Sequence, residues 1–510
     1  MAISANVFDI LHKLLFHPLS LPLLLLTIFI YKILFKNRDI TKNPPPCPPK
    51  LPILGNLHQL GKFPHRSLQT LSNRYGENGF MSMQIGSSPA LVISSSDAAR
   101  EIMKTHDIVF ANRANSRTLC KIVYGCRDLV FSPYSDFWKQ IRSISVIQLF
   151  SNKKVQSFRN VREEEVFLAV DTIKRSILSP VNLSEILLTL SNDVLCRVAF
   201  GRKYGGESNG INFKNLLAEL GEVLAVFSFG DFIPWLGWID RVSGLERRVD
   251  NVAKDFDCFL ENVVQEHVDR FKDDNKDENK DFVDILLGVQ KENPNALPND
   301  SIKAIILDMF VAGTDTTYTL LEWTMTELLG HPRVMKQLQD EVREAVTPKP
   351  MVDEDDLQKL NYLKAVIKET LRLHPPLPIL LIRESSKDVK IHGYDIAAKT
   401  QVLINAWAVQ RDPSYWEDPD MFKPERFLKS SVDVKGTTVD FNLIPFGGGR
   451  RGCPGISFAF ASAELTLANL VYNFDWKLPD GAECNPSNVP EHPGLIVNRR
   501  DPLIAFAIRK

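Results

Sequence analysis

The chain has 510 residues, 44% of them apolar, and a formal net charge of −1. This near-neutral balance, without a broad stripe of Lys and Arg, excludes a nucleic-acid partner, because phosphate binding requires clustered excess cations. The length exceeds the roughly 250 to 300 residues that one ordinary core supports, so either two domains or one unusually large helical fold must bury the apolar side chains. The seven cysteines, Cys47, Cys120, Cys126, Cys196, Cys258, Cys453 and Cys484, are odd in number and widely scattered. That pattern argues against a disulfide framework and for a reducing compartment. None of the 10 histidines forms a close pair at metal-ligand spacing, which leaves a zinc site without support.

From Leu14 to Phe35 the chain is dominated by Leu, Ile and Phe, interrupted by His17, Pro18, Pro22 and Lys32. Its length is marginal for a spanning helix of about 20 residues. No A-x-A-like cleavage site follows, and a buried core helix would not normally stand at the extreme terminus ahead of a proline run. Residues 1–36 therefore read as an uncleaved signal anchor. Lys36, Arg38, Lys42 and Lys50 follow it, whereas only Lys13, near Asp9, precedes it. The positive-inside bias then places the downstream body in the cytosol, with Lys32 snorkelling to the same face. Pro44 to Pro52, PPPCPPKLP, is a stiff polyproline spacer. It completes a basic, proline-rich hinge at 37–56 that holds the body, 57–510, off the membrane. The sequons at Asn182 and Asn299 are read as chance, since a cytosolic domain never meets the transferase.

The body is patterned mostly as amphipathic helix, with short strands expected around Met81 to Ile93 and Val389 to Val402. The expected fold class is mainly α with small β-sheets. No fixed-period repeat is present, which removes the solenoids. Lys272 to Asp281, KDDNKDENKD, has no apolar side chain and reads as a solvated loop. Between about Ser301 and Leu329 apolar residues surround a helix, interrupted by AGTDTT, Ala312 to Thr317. Glycine costs roughly 1 kcal/mol in a helix and Thr hydroxyls compete for backbone hydrogen bonds. Gly313 and Thr316 are thus expected to loosen the ladder and open a notch for a diatomic molecule or water; a kinked core helix is the plainer reading.

A further helix, from about Asp353 to a stop at Pro375, places Glu369 and Arg372 on one face. Exposed, such a pair contributes only about 0–1 kcal/mol. Pro424-Glu425-Arg426-Phe427 follows, and then PFGGGRRGCPG from Pro445 to Gly455. Its glycines let backbone N–H groups approach closely, and Arg450 and Arg451 are expected to lower the pKa of Cys453. That is a site for an anionic, metal-ligating sulfur.

The run fits F-x-x-G-x-R-x-C-x-G at Phe446, Gly449, Arg451, Cys453 and Gly455. Here the chain resembles the cytochrome P-450 superfamily, in which this loop carries the proximal cysteine of a haem. Ala312 to Thr317 is similar to the family's A/G-G-x-D/E-T motif over the distal haem face. Glu369, Arg372 and Arg426 match its E-x-x-R and P-E-R-F elements, and Trp138 with Arg142 its W-x-x-x-R helix. The motifs run in family order from the proline hinge to the end, and FSPYSDFW at Phe131 to Trp138 is closest to plant A-type members that modify specialised metabolites.

The resemblance implies one large helical haem domain behind a single-pass anchor in the endoplasmic reticulum membrane, with the catalytic body cytosolic. It implies haem b, ligated by Cys453 within a loop framed by Phe446 and Gly455, its propionates on Trp138, Arg142, Arg383 and Arg451. Thr316 is assigned a hydrogen bond to bound dioxygen and Asp315 a proton relay through water. Glu369, Arg372 and Arg426 are assigned a buried scaffold. The implied reaction inserts one oxygen atom from O2 into a lipophilic small molecule, such as a plant terpenoid, phenolic or coumarin. No Rossmann fingerprint or flavin motif is visible, so electrons are expected from NADPH-cytochrome P-450 reductase, with Lys139, Lys153, Lys154 and Arg450 as candidate docking cations. Family alignment puts pocket walls near Arg113 to Cys126, Phe227 to Trp238, Met309 to Gly313, Leu377 to Ile382 and Gly494 to Ile496. FSFGDFIPWLGW, Phe227 to Trp238, reads equally as a stretch dipping into the bilayer or as core. Two rivals remain: a haem-thiolate isomerase or dehydratase, against which Asp315-Thr316 argues, and a haem carrier or sensor without turnover, which would not consume NADPH and dioxygen with substrate.

Overall fold

The computed structural model describes residues 43–509, except 115, 178, 205–206, 209–210, 227, 273–279, 296, 347, 429–431, 433, 435–440 and 480–484, together with positions 22 and 25–27. The expected anchor and most of the charged loop at 272–281 lie outside the described residues, and among those described no helix is long and apolar enough to cross a membrane. The architecture is mainly helical with small sheets, as the patterning predicts. In chain order it comprises α1 (Pro64–Tyr75), β1 (Phe80–Ile85), β2 (Ser88–Ile93), β3 (Asn112–Arg113), α2 (Arg117–Ile122), α3 (Asp136–Ile144), α4 (Arg159–Arg175), β4 (Pro180–Asn182), α5 (Leu183–Phe200), α6 (Leu245–Lys272), α7 (Phe282–Glu292), α8 (Asn299–Gly330), α9 (Asn361–Leu373), β5 (Arg383–Glu384), β6 (Gln401–Ile404), α10 (Ile456–Asn473), β7 (Phe474–Lys477) and β8 (Ile504–Arg509), with two further helices, Phe213–Ala225 and Pro332–Ala345, and shorter helices, turns and hairpins between them.

One sheet has the order β1-β2-β6-β5-β3 and a second the order β7-β8-β4. In the first, the β1–β2 hairpin accepts β6 in parallel, and β5 and β3 follow antiparallel, with Arg113 directly opposite Arg383. Period-2 alternation divides the hairpin between two cores. Met81, Met83 and Val92 pack with Leu68 of α1, and Phe80, Leu91 and Ile93 with Ile102, Phe110 and Val402. The helices share one larger core, through which α8 runs.

α8 spans 32 residues and is enclosed at both ends: Ser301 to Phe310 and Thr319 to Leu328 are all buried. The loosening expected at Gly313 is corrected by the structure, because the helix is unbroken there. A Cβ on Gly313 would lie 2.8 Å from Leu195 Cδ1, so the glycine lets α5 approach closely rather than opening a notch. The single helix expected from Asp353 is also corrected. A 3-10 turn at Asp356–Lys359 ends at Leu360 (ψ 82°), and α9 starts afresh. The Glu341 carboxylate caps it from another helix, accepting from Tyr362 N at 2.7 Å and Leu363 N at 2.9 Å. Such a tertiary cap leaves no local sequence signal.

Cys120 and Cys126 form a disulfide, one local pair that the cysteine number and spacing did not indicate, and not the framework they argued against. Tyr124, Gly125 and Cys126 all have positive φ, at 52°, 73° and 60°, and this left-handed reversal returns the chain onto α2. Cys47, Cys196, Cys258 and Cys453 are free thiols.

The proline segment lies along β1: Ser82 N donates to Pro46 O at 2.8 Å and Ser82 Oγ to Pro45 O at 2.7 Å. Buried Asn56 joins the two, donating to Pro49 O at 3.2 Å and accepting from Gln84 N at 2.8 Å. The turn needs Gly55, whose φ is +61° and whose Cβ, if present, would stand 2.0 Å from Gln84 O. Gly55→Ala should therefore lower stability by at least about 1 kcal/mol; an unchanged unfolding midpoint would show that the hinge is not seated on β1.

Candidate functional site

The cysteine run is folded by its glycines and held by one carboxylate. Gly447 and Gly449 have φ of 66° and 64°, and a Cβ on Gly449 would lie 2.3 Å from Met103 O and 2.4 Å from Asp107 Oδ1. No other residue fits there. The Cys453 N–H closes the loop onto Phe446 O at 2.9 Å, and Phe446 packs against Phe460 with ring centroids 5.8 Å apart. Buried Asp107 accepts from Arg450 N at 3.1 Å, Arg450 Nη1 at 2.8 Å and Arg383 Nη1 at 3.4 Å.

The charge around the sulfur differs from expectation. Arg450 is engaged by Asp107, and Arg451 donates to Ala111 O at 2.7 Å and Ser132 O at 2.6 Å with its guanidinium 4.1 Å over the Trp138 ring. Neither acts on Cys453. Burial pushes the Cys453 thiol up, and the Gly455 N–H and the nearby Arg142 charge only partly oppose this. Arg142 is positioned by donating to Gly452 O at 2.7 Å. A sulfur whose own surroundings favour the thiol fits a site that takes a metal ion, because coordination supplies the missing positive charge and deprotonates the ligand.

A second group fits an anion. Arg113 and Arg383 oppose each other across β3 and β5, a pairing that is destabilising for like charges. Arg113 donates to Val130 O at 3.0 Å and Leu381 O at 2.6 Å, and Arg383 to Gly448 O at 2.6 Å. Burial lowers the pKa of both, and that of Arg451; Arg451 and Arg383 lower Arg113 further. Three buried guanidiniums face only Asp107 and Asp128 as acids among these contacts. Buried charge is costly unless paired, so the cluster suits a further dianion, such as the two carboxylates of a haem. Family motifs did not mark Arg113 as a cation of this group. Its register against Arg383 reveals it, and that register is a long-range feature. The Trp138 indole N–H is bound to Leu129 O at 2.9 Å, so the ring meets the cluster by its face, under Arg451.

On α8 the enclosed helix opens briefly: Ala312 and Asp315 are exposed and Thr316 half-buried. Burial nevertheless raises the Asp315 pKa. Cys453 likewise combines open surface with strong desolvation. Such a combination belongs to side chains that line an interior cleft. The Thr316 hydroxyl donates to Ala312 O at 2.6 Å, leaving its oxygen lone pairs free to accept.

Beneath the loop, Glu369 and Arg372 are fully buried and meet through two bonds, Nε to Oε2 at 2.8 Å and Nη2 to Oε1 at 2.9 Å. Arg426 Nε at 3.0 Å and Lys423 N at 2.9 Å also donate to Glu369. Arg372 continues to Gln410 O at 3.0 Å and Pro419 O at 2.6 Å.

A loop-borne thiol, a buried arginine cluster and an acid–alcohol pair on an enclosed helix are the groups that fit a haem-thiolate site. Residues 45–505 match the family described as Cytochrome P450. Cytochrome P450 736A117 of Prunus mume is 50% identical over 500 residues, 96% of each chain. Norfluorocurarine oxidase of a Strychnos species is 49% identical over 500 residues, 96% of this chain and 97% of that one. A zebrafish cytochrome P450 solved with abiraterone has a TM-score of 0.74 at 24% identity, covering 88% of this chain and 99% of that chain; it shows the fold. The chain belongs to the cytochrome P450 family and is a monooxygenase with a haem-thiolate cofactor.

Removing Glu369 strands the buried Arg372 and takes the carboxylate from the half-buried Arg426. Glu369→Ala should cost about 3–5 kcal/mol, read as a lowered thermal midpoint and a poor yield of folded protein. An unaltered midpoint would contradict the buried network.

Proposed function

We propose that this monooxygenase oxidises a lipophilic plant specialised metabolite, with Asp315 and Thr316 governing proton supply. The observation that carries the reading is the acid and the alcohol side by side on the open stretch of an otherwise enclosed helix, in a chain whose free Cys453 is also desolvated. The candidate substrates are terpenoids, phenolics and coumarins, and the likeness to norfluorocurarine oxidase adds alkaloids.

In this reading the Cys453 thiolate would bind the haem iron, and Arg113, Arg142, Arg383 and Arg451 would hold the haem carboxylates, with Trp138 supporting Arg451. When bound, haem supplies the oxidative chemistry, and thiolate donation favours O–O cleavage. The Thr316 hydroxyl, now turned to Ala312 O, rotates to donate toward the cleft. Burial keeps Asp315 closer to neutrality than a surface carboxyl, so it can hand a proton onward through water. The acid–alcohol pair favours oxygen activation over a haem-thiolate isomerase or dehydratase, and over a haem carrier.

Electrons come from NADPH-cytochrome P-450 reductase of the same membrane. On the Cys453-loop side, Lys139 is 53% and Arg450 44% exposed, and their charges interact. Lys153 is exposed and Lys154 half-buried. Membrane contact is supported at another corner, where Ser87 N bonds Phe232 O and Gly86 N bonds Leu54 O. Trp235, Trp238 and Val242 are exposed there, as are Leu51, Ile53 and Leu54, whereas Ile233 is buried. The described part of that stretch, 228–238, is thus part core and part exposed apolar surface, the latter suited to a bilayer interface. This corner adjoins the hinge, consistent with anchorage in the endoplasmic reticulum and a cytosolic body.

Two variants test the assignment. Cys453→Ser should abolish the strongly red-shifted Soret band of the ferrous carbonyl complex, and its persistence would remove Cys453 as ligand. Thr316→Ala should retain azole binding but divert reduced oxygen to peroxide, lowering coupling of NADPH to product by about tenfold or more. Equal coupling would refute the role of Thr316.

A further inference from the structure

The Cys120–Cys126 bond stands apart from the chemistry above. We propose that it is a reversible redox latch: a dithiol reductant opens it and thereby loosens the segment between β3 and α3. Three observations carry the inference. The bond joins residues six apart, so it closes one turn on itself and staples no distant segments together. The turn it closes holds Tyr124 and Cys126, neither a glycine, at positive φ, a conformation that persists only when its surroundings enforce it. Cys120 is half-buried and Gly125 exposed, whereas Cys126 is buried, so an attacking thiolate has access to one sulfur and a protected leaving group at the other.

The location gives the latch a consequence. On one side Ser116 Oγ and Arg117 N hold Asp231 at 2.6 and 2.9 Å. Lys121 Nζ reaches Asp250 of α6 at 2.8 Å. Beyond the turn, Lys303 of α8 lies 4.9 Å over the Tyr124 ring, and Asp308 of α8 accepts from Leu129 N at 2.8 Å. The bond therefore stands between the contacts that seat this segment on the 231 loop, on α6 and on α8. Opening it frees Tyr124 to Cys126 to leave the left-handed region and slackens the contacts on either side. That this segment also walls the substrate space rests on the family resemblance of Arg113 to Cys126 and on the monooxygenase reading under Proposed function; the latch itself does not.

The exchange balances within the protein and the reductant. A thiolate of the dithiol attacks Cys120 Sγ, forming a mixed disulfide, and Cys126 leaves as a thiolate that takes up a proton. The second thiol of the reductant then displaces Cys120, so two electrons and two protons pass to the protein and the reductant becomes a disulfide.

The test uses the full-length haem-loaded protein in nanodiscs, with dithiothreitol as the dithiol. After denaturation and N-ethylmaleimide labelling without reductant, Cys120 and Cys126 should be unmodified while Cys47 and Cys258 are labelled. Brief treatment of the folded protein with dithiothreitol beforehand should make both reactive. The same treatment should speed amide hydrogen exchange across 117–127 by about tenfold, leave α10 unaffected, and weaken binding of the bulky azole clotrimazole more than that of imidazole. Cys120→Ser with Cys126→Ser should show the fast exchange with or without reductant. Labelling of both thiols before reduction, a bond that yields only after unfolding, or exchange unchanged by its opening would each overturn the latch. Labelling and exchange do not depend on the pocket reading; a normal result in both with unaltered azole binding would remove only the wall assignment.

Discussion

Uncompensated charge in the interior is the constraint on which the arrangement of this protein depends. Arg113, Arg383 and Arg451 are all buried, and a strand register places two of them face to face. Backbone carbonyls take up their N–H groups, but carbonyls do not neutralise charge. Asp107 supplies part of the balance while clamping the cysteine loop through Arg450. The same carboxylate therefore ties the arginine cluster to the Cys453 loop, and movement of one displaces the other. The fourth cation, Arg142, is directed by Gly452 O to the vicinity of Cys453. Loop, cations and sulfur form one unit.

The network around Glu369 solves the same problem in the opposite way. Its carboxylate receives four donated hydrogen bonds from Arg372, Arg426 and Lys423, and Arg372 is completed by carbonyls. One carboxylate there serves two guanidiniums, and backbone carbonyls take up their remaining N–H groups. Such a closed network gives geometric definition rather than net stability, since burial of an ion pair roughly cancels its attraction. The two groups differ in place: the Glu369 network fixes α9 and the 3-10 turn at Pro424–Phe427, whereas the arginine cluster borders the Cys453 loop through Arg383 and Gly448 O.

Much of this was legible in the sequence because the chemistry is carried by contiguous residues. Cys453 with Gly449, Glu369 with Arg372, and Asp315 with Thr316 each stand a few positions apart, so helix or turn periodicity suffices to bring them together. Features requiring distant segments were hidden. Arg113 joins the cation group only through pairing of β3 with β5, and Glu341 caps α9 from another helix. Gly313 was misread because the local cost of a helical glycine is visible in the sequence, whereas the Leu195 side chain that makes it necessary is not. The expectation for Arg450 and Arg451 failed similarly: proximity along the chain to Cys453 does not fix where long side chains turn. The cysteine rule missed one bond because parity and spacing describe frameworks, and a single pair closed by three left-handed residues is not one.

Interior charge also links cofactor binding to folding. A dianion among the three guanidiniums relieves repulsion that the polypeptide otherwise carries alone, and a metal ion on Cys453 offsets the burial that holds its thiol protonated. Both effects favour the native state over the unfolded one, in which neither site exists, so the haem contributes stability in proportion to its affinity. The residues that make the interior a poor environment for the bare chain are those that make it selective for a group that is anionic at its rim and cationic at its centre. Replacing a cluster arginine with an apolar residue would ease the first cost and forfeit the second benefit. That trade explains why a fold able to satisfy Glu369 completely leaves its other buried charges incompletely balanced.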